Sequence, residues 1–85
     1  MPYIKQDRRA LLLPDSDVIA KTAGELNFQV TELLKQYVQR HGLSYQTIND
    51  IRGAVEGAKL EFERRVAFPY EDTKIKENGD VYPSY

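Results

Sequence analysis

The stretch Leu26-Asn27-Phe28-Gln29-Val30-Thr31-Glu32-Leu33-Leu34-Lys35-Gln36-Tyr37-Val38 decides the fold. Its apolar residues Leu26, Val30, Leu33, Leu34, Tyr37 and Val38 recur at i, i+4, i+7, i+8, i+11 and i+12. That is the spacing of one helix face; a half-buried strand would alternate every second residue. The spacing predicts a helix over 24–41, with Gly42 as the positive-φ residue that ends it. Further on, Ile48, Ile51, Val55, Ala58, Phe62 and Val66 recur every three or four residues. They predict a second long helix over 45–67, with Ser44 as its N-cap. The link 42–44 is short, so the expectation is an antiparallel helical hairpin closed stripe on stripe.

The flanks read less simply. Pro14-Asp15-Ser16-Asp17 combines capping side chains with early negative charge and predicts a short N-terminal helix over 17–21. It follows an extended or irregular opening, 1–9, in which Tyr3 and Ile4 form a small apolar anchor. Thr22-Ala23-Gly24 reads as a break or a bend. Pro69 reads as the end of the third helix, because the residue before a proline avoids helical geometry. Asn78-Gly79 is a strong short-range hairpin signal. Residues 68–85 therefore read as an extended or β-hairpin-like C-terminal tail on a single, mainly all-α domain spanning 1–85. A chain of 85 residues buries only about 60–65% of its unfolded surface. The hairpin alone is thin, so the first helix, the tail or another subunit has to add cover.

Composition narrows the chemistry. Twelve basic residues stand against thirteen acidic ones, which argues against broad attraction to nucleic acid or to an anionic membrane. There is no cysteine, which excludes disulfides, thiolate nucleophiles and cysteine-based metal sites. Small secreted domains lean on disulfides, so the same absence favours the cytoplasm. The apolar run 10–13 is too short for a signal-peptide core or a membrane span. His41 is the one histidine, and at a helix end it reads as a cap or a dipole-complementing cation. Gly53 and Gly57 lie mid-helix and are not followed by Lys-Ser/Thr, so they form no phosphate loop. No metal or cofactor is expected. A magnesium site would need convergence of carboxylates such as Glu25, Asp50 and Glu61. The Glu-x-x-Glu pairs of all-α nucleotide pyrophosphohydrolases are absent.

A few residues break the helical pattern. Asn27 falls on the apolar stripe, where an amide needs partners; it reads as a satisfied core asparagine or as a ligand-facing amide. Phe28 and Leu60 lie opposite the stripes. Gly53 and Gly57 share the outer face with Leu60, and each costs about 0.5–1 kcal/mol against alanine. These four mark a face expected to pack on the tail or on another subunit. Arg65 falls inside the apolar arc, where an unpartnered guanidinium is costly. It reads either as a clamp on Glu61, Glu25, Glu71 or Asp72, or with Arg64 as a grip on a ligand phosphate or carboxylate.

Several motifs together resemble a family of small bacterial and phage proteins that share a domain of unknown function. They are Gly24-Glu25-Leu26-Asn27, Asn49-Asp50-Ile51-x-Gly53-Ala54-x-Glu56, Lys59-Leu60-Glu61-Phe62-x-Arg64-Arg65, Pro69-Tyr70-Glu71-Asp72 and Glu77-Asn78-Gly79-Asp80-Val81-Tyr82. Phe28 and Glu63 stand where that family's pattern carries tyrosine, which puts in doubt any role needing a hydroxyl there. The resemblance implies no activity. It does imply that the polar tail positions serve the protein's purpose.

The functional expectation is a non-enzymatic, homo-oligomeric binding protein. A small anionic, nucleotide-like ligand would sit near Glu25, Asn27, Arg64, Arg65, Tyr70 and Tyr82, with tyrosine rings on a base and arginines on phosphate. The alternatives are an adaptor that docks a host protein through Phe28 and Leu60, and the metal-dependent hydrolase.

Overall fold

The computed structural model of the chain describes residues 4–13 and 19–85. Its regular elements are α1 (Gln6–Leu12), α2 (Ala23–His41), α3 (Tyr45–Phe62), a π-helical segment (Glu63–Ala67) and α4 (Phe68–Asn78). The fold is all-α, and no strand occurs among the described residues.

The boundaries of α2 and α3 follow from local hydrogen bonding. Thr22 is extended, and its hydroxyl accepts from the Glu25 N–H at 3.1 Å. The Glu25 carboxylate reaches back to the Lys21 N–H at 2.8 Å. Two donors at the helix start are thereby satisfied by one Thr-x-x-Glu pair. The chain bends at Lys21–Thr22, and Thr22-Ala23-Gly24 forms the start of α2. At the other end Gly42 has φ 83, and its N–H bonds the Val38 carbonyl at 2.7 Å. Ser44 then caps α3, its Oγ accepting from the Thr47 N–H at 3.1 Å and its hydroxyl donating to Thr47 Oγ1 at 3.2 Å. Thr47, 3% exposed, is the one buried residue among those described.

Four expectations are corrected. The N-terminal helix is α1, which takes in residues 6–9 of the opening expected to be extended or irregular, with Asp7 in its favourable first turn. Of the helix expected over 17–21, residues 17 and 18 lie outside the described residues, and residues 19–21 are not helical. Pro69 does not end the helical run. A proline in a helix interior clashes with the carbonyl four residues back and leaves it without a donor. Here the run widens into the π segment just ahead of the proline, and Phe68 N–H bonds Glu63 five residues back. The ring is admitted at the start of α4. The β-hairpin-like tail is likewise replaced by α4. Asn78-Gly79 supplies the positive φ that a hairpin turn would use, but Gly79, at φ 84, spends it on ending α4, with its N–H on the Ile75 carbonyl at 2.8 Å.

The chain's contacts cluster into two units, Met1–Ala54 and Val55–Tyr85. In the first, α2 and the start of α3 meet through Tyr37, whose hydroxyl donates to Asp50 Oδ2 at 3.0 Å. A cleft of ≈ 180 Å³ lies beside this bond, lined by Leu33, Leu34, Tyr37, Asp50, Ile51 and Ala54. The expected stripe-on-stripe hairpin is not supported: within this unit the stripes stay at most half-buried, and among the described residues no hydrophobic side chain is buried. In the second unit, α4 carries local ties: Thr73 Oγ1 to the Pro69 carbonyl at 3.1 Å and Lys74 to Glu77 at 3.2 Å.

Candidate functional site

Two features carry chemistry. The first is a polar node at the α2–α3 link. Asp50 accepts from Tyr37 through one oxygen and from Gln46 Nε2, at 2.7 Å, through the other. The Tyr37 ring lies against the His41 ring, with centroids 4.3 Å apart. The hydrogen bond to Asp50 pushes the Tyr37 hydroxyl above its usual pKa, with smaller contributions from desolvation and from the carboxylate's charge. Losing the phenol proton would break the bond and set two anions side by side. The sequence reading took Tyr37 for a stripe residue and Asp50 for a carboxylate donor. It missed their pairing, which comes from residues thirteen apart brought together across the link.

The second feature is the π-helical segment, which contains Glu63, Arg64 and Arg65. A π turn is rarer and looser than an α turn and occurs often at functional sites. Arg64 and Arg65 are both exposed. The burial that would have made Arg65 depend on a carboxylate clamp is therefore not found. Downstream in the same unit, the Lys74 ammonium lies 5.5 Å from the Tyr70 ring centroid. Tyr82 is exposed, and its N–H bonds Asp80 Oδ1 at 2.9 Å.

The remaining candidates fall as follows. Glu25 belongs to the α2 cap, where its carboxylate is held by the Lys21 N–H. Asn27 is exposed, so it is not a core asparagine; its carbonyl accepts from Thr31 Oγ1 at 2.9 Å. Glu25 and Asn27 lie in the first unit, while Arg64, Arg65, Tyr70 and Tyr82 lie in the second. Phe28 and Leu60 are exposed. A Cβ built on Gly53 or Gly57 meets nothing within 4 Å. A further cleft, of ≈ 390 Å³, runs along α2 between Leu26, Phe28, Gln29, Val30, Glu32 and Leu33. Among the described residues, no three histidine, aspartate or glutamate side chains gather as a metal site. No helix among them is long and apolar enough to cross a membrane.

Among curated proteins and among solved structures, nothing matches the chain. One family model does match, over residues 1–81, that of the domain of unknown function DUF6899. A match over nearly the whole chain makes the assignment plain: the protein belongs to the DUF6899 family.

Proposed function

We propose that the chain is a non-enzymatic binding protein that works as a homo-oligomer in a bacterial cytoplasm, in its own right or on behalf of a phage. The observation that carries this reading is the missing core. Stripes with clear helical periodicity lie on α2 and α3, yet not one hydrophobic side chain among the described residues is buried. Packed helices draw most of their stability from an apolar face set against another apolar face. A chain with such faces left open completes its packing on other copies.

The ligand in this reading is small and anionic, of nucleotide type. Arg64 and Arg65 on the π segment supply planar donor forks for phosphate. Tyr70 and Tyr82, in the same unit, supply rings for a base. Glu25 serves the helix cap, which leaves the arginines and tyrosines of the second unit as the binding set. Native mass spectrometry of the gently purified protein tests both halves of the reading. The expected spectrum shows an oligomer with excess mass, and the excess disappears from the Arg64→Ala/Arg65→Ala double variant while the subunit number holds. A bare monomer refutes the reading.

A second reading rests on Phe28 and Leu60, which are 63% and 57% exposed. They would dock a host protein as an adaptor does. Phe28→Glu and Leu60→Glu would then abolish capture of that protein with helicity unchanged, and persistence of capture removes the idea.

A further inference from the structure

Asn78-Gly79 ends α4, and that role makes no use of its side-chain chemistry. The chain holds three asparagines. Asn27 lies inside α2 and precedes Phe28, and Asn49 lies inside α3 and precedes Asp50. Asn78 alone precedes a glycine, at the last residue of its helix. Asn78 and Gly79 are both exposed. A Cβ built on Gly79 would meet nothing within 4 Å. Glycine has no side chain to shield its own nitrogen, so the amide after Asn78 can be approached by the Asn78 carboxamide and by water.

We propose that Asn78-Gly79 is a covalent modification site, converted through a succinimide to aspartate and isoaspartate at a rate set by opening of the C-terminal end of α4. A solvent base takes the Gly79 amide proton, and the nitrogen attacks Cγ of Asn78. A bond forms between that nitrogen and Cγ, the Cγ–Nδ2 bond breaks, and ammonia leaves. Water then opens the five-membered ring. Attack at Cγ returns an ordinary main chain with aspartate at position 78. Attack at the main-chain carbonyl carbon leaves the chain running through Cγ, which is isoaspartate. Nothing is oxidised or reduced, and water is the one co-reactant.

The helix end holds this reaction back in two ways. Asn78 belongs to α4, and helical ψ keeps the next nitrogen out of the plane in which the ring closes. The Gly79 N–H also donates to the Ile75 carbonyl at 2.8 Å, which holds the proton that must leave. Both restraints belong to the terminal turn, and helix ends open at far lower free energy than helix middles. The modification therefore draws on the opened population of that turn. Its products keep the turn open. A new carboxylate at position 78 stands at the negative end of the helix dipole, between Glu77 and Asp80. Isoaspartate adds a methylene to the main chain and takes the Gly79 N–H out of register with Ile75. The event is one-way, and it marks chains whose α4 has opened.

The test follows the full-length protein by peptide mapping with mass spectrometry, on a column that separates aspartate from isoaspartate. One sample is kept folded and one in guanidinium chloride, at the same mildly alkaline pH and temperature. Conversion in the folded sample is expected at Asn78 ahead of Asn27 and Asn49. The denatured sample should convert Asn78 at least about tenfold faster, because its helix end is open all the time. Ile75→Gly and, independently, Lys76→Gly loosen the last turn of α4. Each should speed conversion in the folded chain at least about threefold and leave the denatured rate unchanged. Equal folded and denatured rates overturn the proposal, as does a folded rate that neither glycine variant raises. Conversion at Asn27 or Asn49 that matches Asn78 in the folded chain overturns it too.

Discussion

The Tyr37 hydroxyl donates to Asp50 Oδ2 at 3.0 Å, linking the last turns of α2 to the second turn of α3. Asp50 is held in turn by Gln46, and Tyr37 rests on His41. The link 42–44 thus has a polar lock beside it, where the stripe pattern alone called for apolar packing.

The lock has a pH signature. The Tyr37 pKa is raised in the folded chain, first by its hydrogen bond to Asp50. A group whose folded pKa lies above its unfolded value, about 10 for tyrosine, stabilises the fold below the unfolded pKa. That contribution is lost as pH rises through the folded pKa. Tyr37 is therefore expected to titrate above the ordinary tyrosine value in a site-resolved titration. Asp50→Asn should lower its midpoint, and Tyr37→Phe should lower the Tm at neutral pH but not at strongly alkaline pH. A Tyr37 titration unmoved by Asp50→Asn would show that the bond is not populated.

Thr22→Ala removes the side-chain acceptor at the start of α2. The expected loss is about 1 kcal/mol, read from chemical denaturation. Thr22→Ser should retain most of the stability, because the hydroxyl is what the Glu25 N–H requires.

The glycines should separate into two classes. Gly42, at φ 83, sits in a region that L side chains rarely adopt, and Gly42→Ala is expected to cost roughly 1–2 kcal/mol. Gly53 is mid-helix with open space at its Cβ, so Gly53→Ala should stabilise the isolated chain by about 0.5–1 kcal/mol. If Gly53→Ala instead lowers the Tm in a concentration-dependent way, another copy approaches the backbone at that point.

Pro69→Ala restores an N–H able to bond the Arg65 carbonyl. The five-residue register of Glu63–Ala67 is then expected to relax to an α-helical one, visible in backbone chemical shifts or a crystal structure. Such a change turns Arg64 and Arg65 relative to α4, so affinity for an anionic ligand should fall with no arginine removed. Retention of the π turn in Pro69→Ala would mean that something other than the proline holds it.

Much of the architecture was written in local pattern. The stripe from Leu26 to Val38 announced α2, Gly42 its end and Ser44 the start of α3, because periodicity, a positive φ and a capping hydroxyl are all satisfied within a few residues. Thr22-x-x-Glu25 was equally local and could have been read as a start. Asn78-Gly79 and Pro69 show where local signals are ambiguous. A positive φ at glycine serves a hairpin turn or a helix end alike, and a proline stops a helix unless the turn before it widens. Nothing short-range distinguishes these outcomes, and the structure settled both in favour of a continued helical run.

The candidate site divides the same way. Arg64, Arg65, Tyr70 and Tyr82 could be picked out by residue type, but their exposure, and the π turn that carries the arginines, belong to the folded chain. The sequence by itself determined which faces are apolar and where the helices begin, since those depend on the order of neighbouring side chains. Tertiary structure alone decided which of those faces find a partner, because burial depends on residues far apart in the chain. It joined Tyr37 to Asp50 and left Leu26 and Leu33 open.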